Sequence, residues 1–399
     1  MSVKYQIAAY YFPNYHVDPR NEVWHGKGWT EWDLVKNARP RFSGHRQPRV
    51  PLWGYEDESD PAVMGKKIDV AVAHGLDAFI FDWYWHEEGP YLSAALERGF
   101  LHAPNSSKGL AFALMWANHD WVDIHPAQRT KPWNVLRRGA VTPAVFRDAT
   151  AHVIDRYFSQ ANYWRLDGRP YFSFYDVAKL VDGIGGPEAT AETLADFRMR
   201  SRQAGCGDLH LNAILWTEIL LPGEGSRGID RGLVERLGFD SVTHYVWLHH
   251  TTMDRFPLTP YADYRESAVG QWEDFSRDFS VPYFPVVCTG WDSSPRTIAS
   301  DRYELLGYPF LPILEEASPA EFRAALESAR AYLESNGVQA ATINAWNEWT
   351  EGSYLEPDTG HGLAYLEAVR DVFGRHTASA HCRAGTRRAV RKCRSGGEV

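Results

Sequence analysis

Short runs of apolar residues recur along the chain, separated by longer segments with a helical pattern. Near-continuous apolar runs suit strands that are covered on both faces, as in parallel sheets. The runs occupy residues 7–11, 78–82, 111–115, 171–175, 211–215, 241–245, 283–287 and 341–345. The pattern therefore predicts eight strands with helices between them.

The intervening segments carry helix start and stop signals, most clearly in the stretch SPAEFRAALESARAYLESNG. Ser318 is a candidate N-cap, Pro319 suits the first helical position, and Glu321 completes a capping box. Gly337 can then adopt the left-handed conformation that ends a helix. Similar signals predict helices over residues 142–158, over residues 191–204 and before residue 75.

Eight strands that alternate with helices predict a (β/α)8 barrel. Linkers rich in Pro, Gly or Ser do not divide residues 1–374, which we expect to form one catalytic domain. The alternative is a doubly wound open sheet, which would normally offer a glycine-rich phosphate loop after its first strand. In this chain the first strand ends instead in YYFPNYH.

Aromatic residues are the unusual part of the composition. The chain has 399 residues, 44% of them hydrophobic, with 16 Trp and 20 Tyr. Many of these aromatics stand beside Gly, Asn, Asp or His at the ends of the apolar runs. Ligand pockets combine apolar faces with a few polar groups, so this placement favours a lined pocket over a core centre.

The charge is unevenly distributed along the chain. The net charge is −9, but residues 375–399 contain seven Lys/Arg and one Glu, so the rest of the chain carries −15. An acidic body argues against a nucleic-acid partner. The basic tail lacks a sustained apolar face, and we expect a disordered extension. A weak attraction to an anionic membrane or nucleic acid is the alternative for this tail.

Cysteine usage and the first residues bear on the compartment. Cys206, Cys288, Cys382 and Cys393 are far apart and form no CxxC motif, which suits a reducing compartment. The segment MSVKYQIAAYYF enters an apolar strand without the pattern of a secretory leader. Segments that approach the ~20 apolar residues of a transmembrane helix are lacking. These features predict a cytoplasmic protein without a transmembrane segment, and its oligomeric state is left open.

Residues that follow the predicted strands are aromatics paired with an amide, a carboxylate or an imidazole. In a (β/α)8 barrel the chemistry gathers at the C-terminal ends of the strands. Sugars stack their C–H faces on aromatic rings and need polar partners for their hydroxyls, whereas nucleic acid would need a basic track. We therefore expect a carbohydrate substrate, although a single strand-end Trp is more often part of a core. The candidate binding residues are Tyr11, His16, Asp82, Trp83, Trp116, Asn118, His119, Tyr175, Trp216, Tyr245, Trp291, Asn347 and Trp349, and Glu218 follows the fifth strand.

The stretch NAWNEWTEGSYLEP follows the last predicted strand and places Glu348 and Glu351 three residues apart. Glycoside cleavage commonly uses two carboxylic groups, one protonated and one ionised. Like charges held close together push their pKa values apart, which separates the acid and base roles. A helical turn after the strand would bring the two side chains together. The alternative is a solvated pair on a helix surface, but the surrounding aromatics favour a catalytic pair.

A second dense segment, WHGKGWTEW, follows the first strand. Its glycines indicate a tightly turned loop. The string GKGWT lacks the spacing of a phosphate-binding P-loop, so a nucleotide site is not expected. Glu31 is a third candidate carboxylate, either reactive or a hydrogen-bonding partner, and Trp32 beside it is a further candidate for substrate binding.

Two histidine-containing clusters raise the possibility of a metal site. They comprise His119, Asp120, Asp123 and His125 in one segment and His244, His249 and His250 in another. Neither has the HExxH or cysteine-rich spacing of a zinc site. We predict that the protein uses neither a metal nor a cofactor, and that His119 donates a hydrogen bond to the substrate.

Four motifs together resemble a known family. The segments FPNYH, WHGKGWTEW, FSGHRQPRVPLWGY and NAWNEWTEGSYLEP are similar to those of WbsX-like proteins. These are described as glycosyltransferases of lipopolysaccharide biosynthesis and are grouped with glycoside hydrolase family 99. That family contains endo-α-mannosidases on a (β/α)8 barrel. The resemblance extends from the first strand to the last, and it implies the same fold and a polysaccharide substrate.

The resemblance also implies roles for the two glutamates. Glu348 matches a carboxylate that acts as a base on the substrate's own 2-hydroxyl, which gives a 1,2-anhydro sugar. Glu351 matches the general acid for the leaving oxygen, which then acts as the base for incoming water. This route retains configuration and requires an α-linked sugar of manno or rhamno configuration. The chain departs from the family's pattern at Thr350, where histidine is usual.

Three functions remain possible at this level. The first is a retaining glycosidase, and the second is a glycosyltransferase or transglycosylase of surface-polysaccharide assembly. A transferase that uses sugar nucleotides commonly has an Asp-x-Asp motif for the diphosphate, and this sequence contains none. The third is a non-catalytic carbohydrate-binding barrel, which the intact glutamate pair disfavours.

Overall fold

A nearly closed barrel of parallel strands forms the centre of the molecule. The computed structural model describes residues 5–217, 220, 224 and 229–374, so the predicted basic tail and Glu218 lie outside the described residues. The barrel strands are β1 (Gln6–Tyr11), β2 (Ala78–His86), β3 (Ala111–Trp116), β4 (Arg169–Phe174), β5 (His210–Ile214), β6 (Ser241–Thr243), β7 (Tyr283–Phe284), β8 (Val286–Cys288) and β9 (Ala340–Asn344).

The barrel closes through a single short segment. The strand order is β7-β6-β5-β4-β3-β2-β1-β9-β8, and the neighbouring strands are parallel. Pro285 separates β7 from β8 because proline has no N–H for the ladder, while its carbonyl accepts from Thr342 N at 3.0 Å. Since β7 pairs with β6 and β8 pairs with β9, the two edges meet. The predicted barrel is confirmed, and the open sheet is wrong.

Helices occupy most of the connections between the strands. They are α1 (Pro19–His25), α2 (Trp32–Asn37), α3 (Pro61–Ala73), α4 (Pro143–Val153), α5 (Val177–Ile184), α6 (Pro187–Gln203), α7 (Arg231–Leu237), α8 (Tyr261–Val269), α9 (Trp272–Asp278), α10 (Pro319–Asn336) and α11 (Ala364–Phe373). Two π-helical turns lie at Ala95–Phe100 and Ile154–Phe158, and short 3-10 turns lie at Trp247–His249, Ser294–Arg296 and Trp349–Glu351.

The capping signals read from the sequence produce the expected helix ends. Ser318 Oγ accepts from Glu321 N at 3.3 Å at the start of α10, and Gly337 ends it with φ 63°. Helix α4 begins after Thr142 as predicted, and its last predicted turn is π-helical. Helix α6 begins at Pro187 rather than at residue 191, because proline suits the first helical turn.

Short strand pairs form in addition to the parallel strand pairs of the barrel. Gly89–Tyr91 pairs antiparallel with β2, and Arg165–Leu166 forms a hairpin with β4. Separate pairs join Trp121–Val122 to Val135–Arg137, Leu258–Pro260 to Ile313–Glu315, and Asn347–Glu348 to Ser353–Tyr354. Within the described part of the chain, each helix is too short or too polar to cross a membrane.

Candidate active site

The loop after β9 turns both glutamates toward the barrel mouth. The pair Asn347–Glu348 and Ser353–Tyr354 forms a small hairpin around the 3-10 turn Trp349–Glu351. Gly352 closes the turn with φ 66°, and a Cβ there would lie 2.8 Å from Asp292 Cβ. The helical turn expected between the two glutamates is therefore present.

A pocket at this end of the barrel contains both carboxylates. Its polar and aromatic lining includes Asp82, Tyr84, His119, Tyr175, Tyr245, Arg296, Glu348 and Glu351. The cavity volume is about 50 Å³. Pockets for small ligands commonly measure ~300–1,000 Å³, so a sugar ring could enter only if side chains of the lining moved.

Arg296 is the cation at the centre of the site. Its guanidinium donates to Glu348 Oε2 at 3.2 Å, to Glu351 Oε1 at 2.5 Å and to Glu31 Oε1 at 3.0 Å. All four side chains are buried. Because charge-assisted bonds in a buried site are strong, Arg296 holds the three carboxylates in one arrangement.

Glu31 anchors this arrangement from behind the pocket. It accepts from Thr350 Oγ1 at 2.5 Å and from Asn14 Nδ2 at 2.6 Å. Although burial raises the pKa of Glu31, the charges of Arg296 and His125 and the Thr350 hydrogen bond hold it below its ordinary value. Glu31 is thus an ionised partner of Arg296.

The pKa values of Glu348 and Glu351 are both raised. Burial is the largest cause for each, and for Glu348 the charge of Glu351 adds to it, while Arg296 opposes the rise. Tyr308 also donates to Glu351 Oε1 at 2.6 Å and thereby favours the ionised form of Glu351. Two interacting carboxyls with raised pKa values can share one proton, which suits acid–base work.

Asp82 is linked to Glu348 through the hydroxyl of Tyr245. The Tyr245 hydroxyl lies 3.0 Å from Asp82 Oδ2 and 3.2 Å from Glu348 Oε1. Burial raises the pKa of Asp82 well above its ordinary value, which favours its protonated form. Because Tyr245 has one proton, a protonated Asp82 can donate to Tyr245 while Tyr245 donates to an ionised Glu348.

A buried network supports the loop from below. Trp349 Nε1 donates to Glu356 Oε2 at 2.7 Å, and Lys67 Nζ of α3 lies 2.5 Å from carboxylate oxygens of both Glu356 and Glu58. Asn347 Nδ2 donates to Glu58 Oε1 at 2.9 Å. These bonds fix the residues on either side of Glu348.

The structure divides the predicted binding residues into two groups. Asp82, His119, Tyr175 and Tyr245 line the pocket with the glutamate pair, and burial lowers the pKa of His119, which favours its neutral form. The rest lie outside the pocket lining. They are Tyr11, His16, Glu31, Trp32, Trp83, Trp116, Asn118, Trp216, Trp291, Asn347 and Trp349.

Several residues of the second group have specific structural partners. Trp116 donates to Trp85 O at 3.0 Å and stacks on Phe146 of α4. Asn118 ties the ends of two strands together through the backbone of Asp176, with bonds of 2.7 and 2.8 Å. Successive strand residues face opposite sides, which is why Asp82 reaches the pocket and its neighbour Trp83 does not.

Other predicted residues outside the pocket lining make structural contacts near the loop that follows β9. Tyr11 donates to Met64 Sδ at 3.3 Å, and Trp32 donates to Glu56 O at 2.8 Å. Trp349 stacks on Tyr354 with ring centres 3.8 Å apart. His16, Trp216 and Trp291 are buried.

Sequence reasoning missed Arg296 and Tyr308. Arg296 lies in a loop after β8, in a 3-10 turn that begins two residues after Asp292. Tyr308 lies farther along the same connection. The strand-end search stopped at the residues directly after each apolar run, so it could not find side chains that return from a long loop.

Among the described residues, the His, Cys, Asp and Glu side chains form no group of three or more that could hold a metal ion. The His244–His250 pair instead packs ring to ring, with centres 4.3 Å apart.

The family-level comparison agrees with the sequence motifs. A family model described as "Glycosyltransferase WbsX" matches residues 7–369. The chain belongs to the WbsX glycosyltransferase family. It is 31% identical over 382 residues to the uncharacterized protein WxcX of two Xanthomonas campestris pv. campestris strains. The match covers 92% of this chain and 50% of WxcX, so the chain spans about half the length of these curated relatives.

Two solved structures have a fold similar to that of this chain. The GH99 endo-alpha-mannosidase from Bacteroides thetaiotaomicron aligns with a TM-score of 0.57 and 14% identity, over 94% of this chain and 97% of that one. A "glycoside hydrolase-like protein" aligns with a TM-score of 0.59 and 16% identity, over 94% and 95% of the chains. At these identities the comparison shows a shared (β/α)8 fold.

Proposed function

We propose that the protein is a retaining glycoside hydrolase of α-linked oligo- or polysaccharides, with Glu348 and Glu351 as its catalytic pair. The observation that supports this most directly is the arrangement around Arg296, in which two carboxyls with raised pKa values bind one guanidinium. Glycosidases of this kind need one carboxyl as acid and one as base, and this pair can supply both.

In the first step Glu348 takes the proton of the substrate 2-hydroxyl. The 2-oxygen attacks the anomeric carbon, while Glu351 donates its proton to the departing glycosidic oxygen. In the second step Glu351 takes a proton from water, water attacks the anomeric carbon, and Glu348 returns its proton to the 2-oxygen. The 2-hydroxyl must lie trans to the leaving group, which selects α-linked manno- or rhamno-configured sugars.

The contacts of Glu348 support its role as the base. The resemblance to the family assigns the base to Glu348. Arg296 and the Tyr245 hydroxyl, which lies 3.2 Å from Glu348 Oε1, stabilise the ionised form that a base requires, although burial and the charge of Glu351 raise the pKa of Glu348. Arg296 and Tyr308 oppose protonation of Glu351, but burial outweighs them, so Glu351 can hold the proton that a general acid needs.

A glycosyl transfer reaction is the second candidate, because the family model carries the description of a glycosyltransferase. A sugar hydroxyl that replaced water in the second step would use the same two glutamates. The product would then be a longer or rearranged chain in polysaccharide assembly, such as lipopolysaccharide biosynthesis.

The roles of the two glutamates can be separated with an activated substrate. An α-mannoside with a dinitrophenyl leaving group needs little acid assistance, so Glu351→Gln should form the anhydro sugar from it at a rate close to the wild type. Glu348→Gln should lose about 10²–10⁴-fold with either an activated or a natural leaving group, which is the range of general acid–base catalysis.

Two controls complete the experiment. Glu327→Gln, on the exposed face of α10, should turn over both substrates normally. The 2-deoxy analogue of the activated substrate should not react with the wild type. Rapid turnover of that analogue, or full activity of both active-site variants, would refute the assignment.

A further inference from the structure

A second and larger cavity lies beside the catalytic loop. Its volume is about 720 Å³, within the range of small-ligand sites and far above the 50 Å³ of the catalytic pocket. Its walls come from residues 43–50, 313–318 and 352–361, with Asp292 at the base. We call this cavity the outer groove. Residues 43–50 belong to the motif FSGHRQPRVPLWGY, and none of them lines the catalytic pocket.

Asp292 lies at the bottom of the outer groove, where several hydrogen bonds hold it in place. Its Oδ2 lies 2.9 Å from His45 Nε2 and accepts from Gln47 Nε2 at 2.7 Å, while Oδ1 accepts from Ser294 N at 3.1 Å. Although burial raises the pKa of Asp292, the His45 hydrogen bond and the charge of Arg49 hold it below its ordinary range. Residues of the FSGHRQPRVPLWGY motif therefore fix Asp292 at the bottom of the groove.

The walls of the outer groove present uncommitted polar groups. Arg46 and Glu316 are exposed, and Glu315 is half-buried. Among the described residues, none of these three side chains has a hydrogen bond or an ion pair. Tyr365, which is half-buried, and Tyr354, which is buried and stacked on Trp349, also line the cavity. The groove thus combines a donor, acceptors and the ring of Tyr365.

This combination selects one chemical class of ligand. A phosphate or another anion would meet the carboxylates of Glu315 and Glu316. An apolar peptide would bury those charges without partners, at a large desolvation cost. A neutral sugar can donate hydroxyls to the carboxylates, accept from Arg46 and place its C–H face on a tyrosine ring.

We propose that the outer groove is a second binding site, which holds a segment of a neutral glycan chain outside the catalytic pocket. The ligand class rests on the proposed function. The groove also borders the proposed general acid, because Asp292 N donates to Glu351 O at 2.6 Å and Arg49 donates to Gly352 O at 3.1 Å. A polysaccharide that enters the pocket therefore has a neighbouring surface on which further residues of the chain can lie.

Calorimetric titration with α-mannan oligosaccharides, from the disaccharide to the octasaccharide, tests this site. All proteins carry Glu351→Gln, so that the chains stay intact. Affinity should rise by about tenfold or more with chain length, as expected when a second site engages the same ligand. Arg46→Ala removes a hydrogen-bond donor, and Thr359→Trp fills the cavity. Each variant should reduce the octasaccharide affinity to that of the disaccharide. Arg236→Ala, on α7, serves as the matched control.

The outcomes distinguish this proposal from the proposed function. Affinity that is independent of length, unchanged affinity in both groove variants, or binding by none of the oligosaccharides overturns the second site. Turnover of the same oligosaccharides is measured with Glu351 restored. If wild-type enzyme cleaves no chain but length-dependent binding still requires Arg46, the proposed hydrolysis fails and the groove stands. If the chains are cleaved without any effect of the groove variants, only the groove proposal fails.

Discussion

At the residue scale, the site is defined by an excess of buried carboxyls over cations. The guanidinium of Arg296 contacts Glu31, Glu348 and Glu351, and the Tyr245 hydroxyl links Asp82 to Glu348. Burial disfavours the ionised states of Glu348 and Glu351, and the charges of the neighbouring carboxyls add to this effect, so both pKa values are raised. The burial that raises these pKa values therefore also lowers the stability of the folded protein when the carboxyls are ionised.

Glu348→Gln should consequently stabilise the protein at neutral pH, because the amide needs no buried charge. A carboxyl whose pKa is raised in the folded state destabilises folding increasingly as the pH rises from its ordinary value, 4.5, through the folded value. Below pH 4.5 the group is protonated in both states, and the difference between the variant and the wild type should disappear. Urea unfolding at acid, neutral and alkaline pH measures this difference.

The exposed substitution Glu327→Gln is the control for that experiment and should change the unfolding free energy by less than about 0.5 kcal/mol at any pH. A Glu348→Gln variant that is less stable than the wild type at neutral pH would show that Glu348 is a structural partner of Arg296. The same conclusion would follow from a gain that does not vary with pH.

At the element scale, the catalytic loop is held against the connection that follows β8. Asp292 N bonds to Glu351 O, and Gly352 approaches Asp292 so closely that a Cβ would lie 2.9 Å from its backbone nitrogen. The left-handed φ of Gly352 and this close approach both require glycine. The position of Glu351 thus depends on an element outside its own hairpin.

Gly352→Ala should reduce kcat/KM by tenfold or more and destabilise the protein by about 2 kcal/mol, through left-handed strain and displacement of Asp292. Gly337→Ala is a matched control, because Gly337 at the end of α10 has φ 63° and its added Cβ would meet nothing within 4 Å. It should show the strain without the loss of activity. Equal activities of the two variants would mean that contact with Asp292 does not position Glu351.

The sequence predicted the elements better than the side-chain contacts. Apolar runs and capping residues are local signals, so the barrel and helix α10 could be read directly. Glu348 and Glu351 could be found because they lie on one short turn after a strand. Arg296 could not be found, since its approach to them depends on the path of a long connection. Trp83 lies outside the pocket lining, because successive residues of a strand face opposite sides and its neighbour Asp82 faces the pocket.

At the scale of the whole molecule, the barrel brings two cavities to the same loop. The pocket at the barrel mouth contains the paired carboxyls, and Gly352, which follows Glu351, lines the outer groove. The WbsX family description names glycosyl transfer, whereas the shared fold is that of glycoside hydrolases. A transferase that uses a sugar nucleotide needs that donor besides the glycan, whereas the proposed hydrolase needs none.

Mass spectrometry of α-mannosyl and α-rhamnosyl oligosaccharides, incubated with the purified protein in the presence and absence of sugar nucleotides, tests this difference most directly. The account predicts shortened glycans from the wild type without any nucleotide, and intact glycans from Glu348→Gln and Glu351→Gln. Glycans that are extended only when a sugar nucleotide is present, and are never shortened, would contradict it.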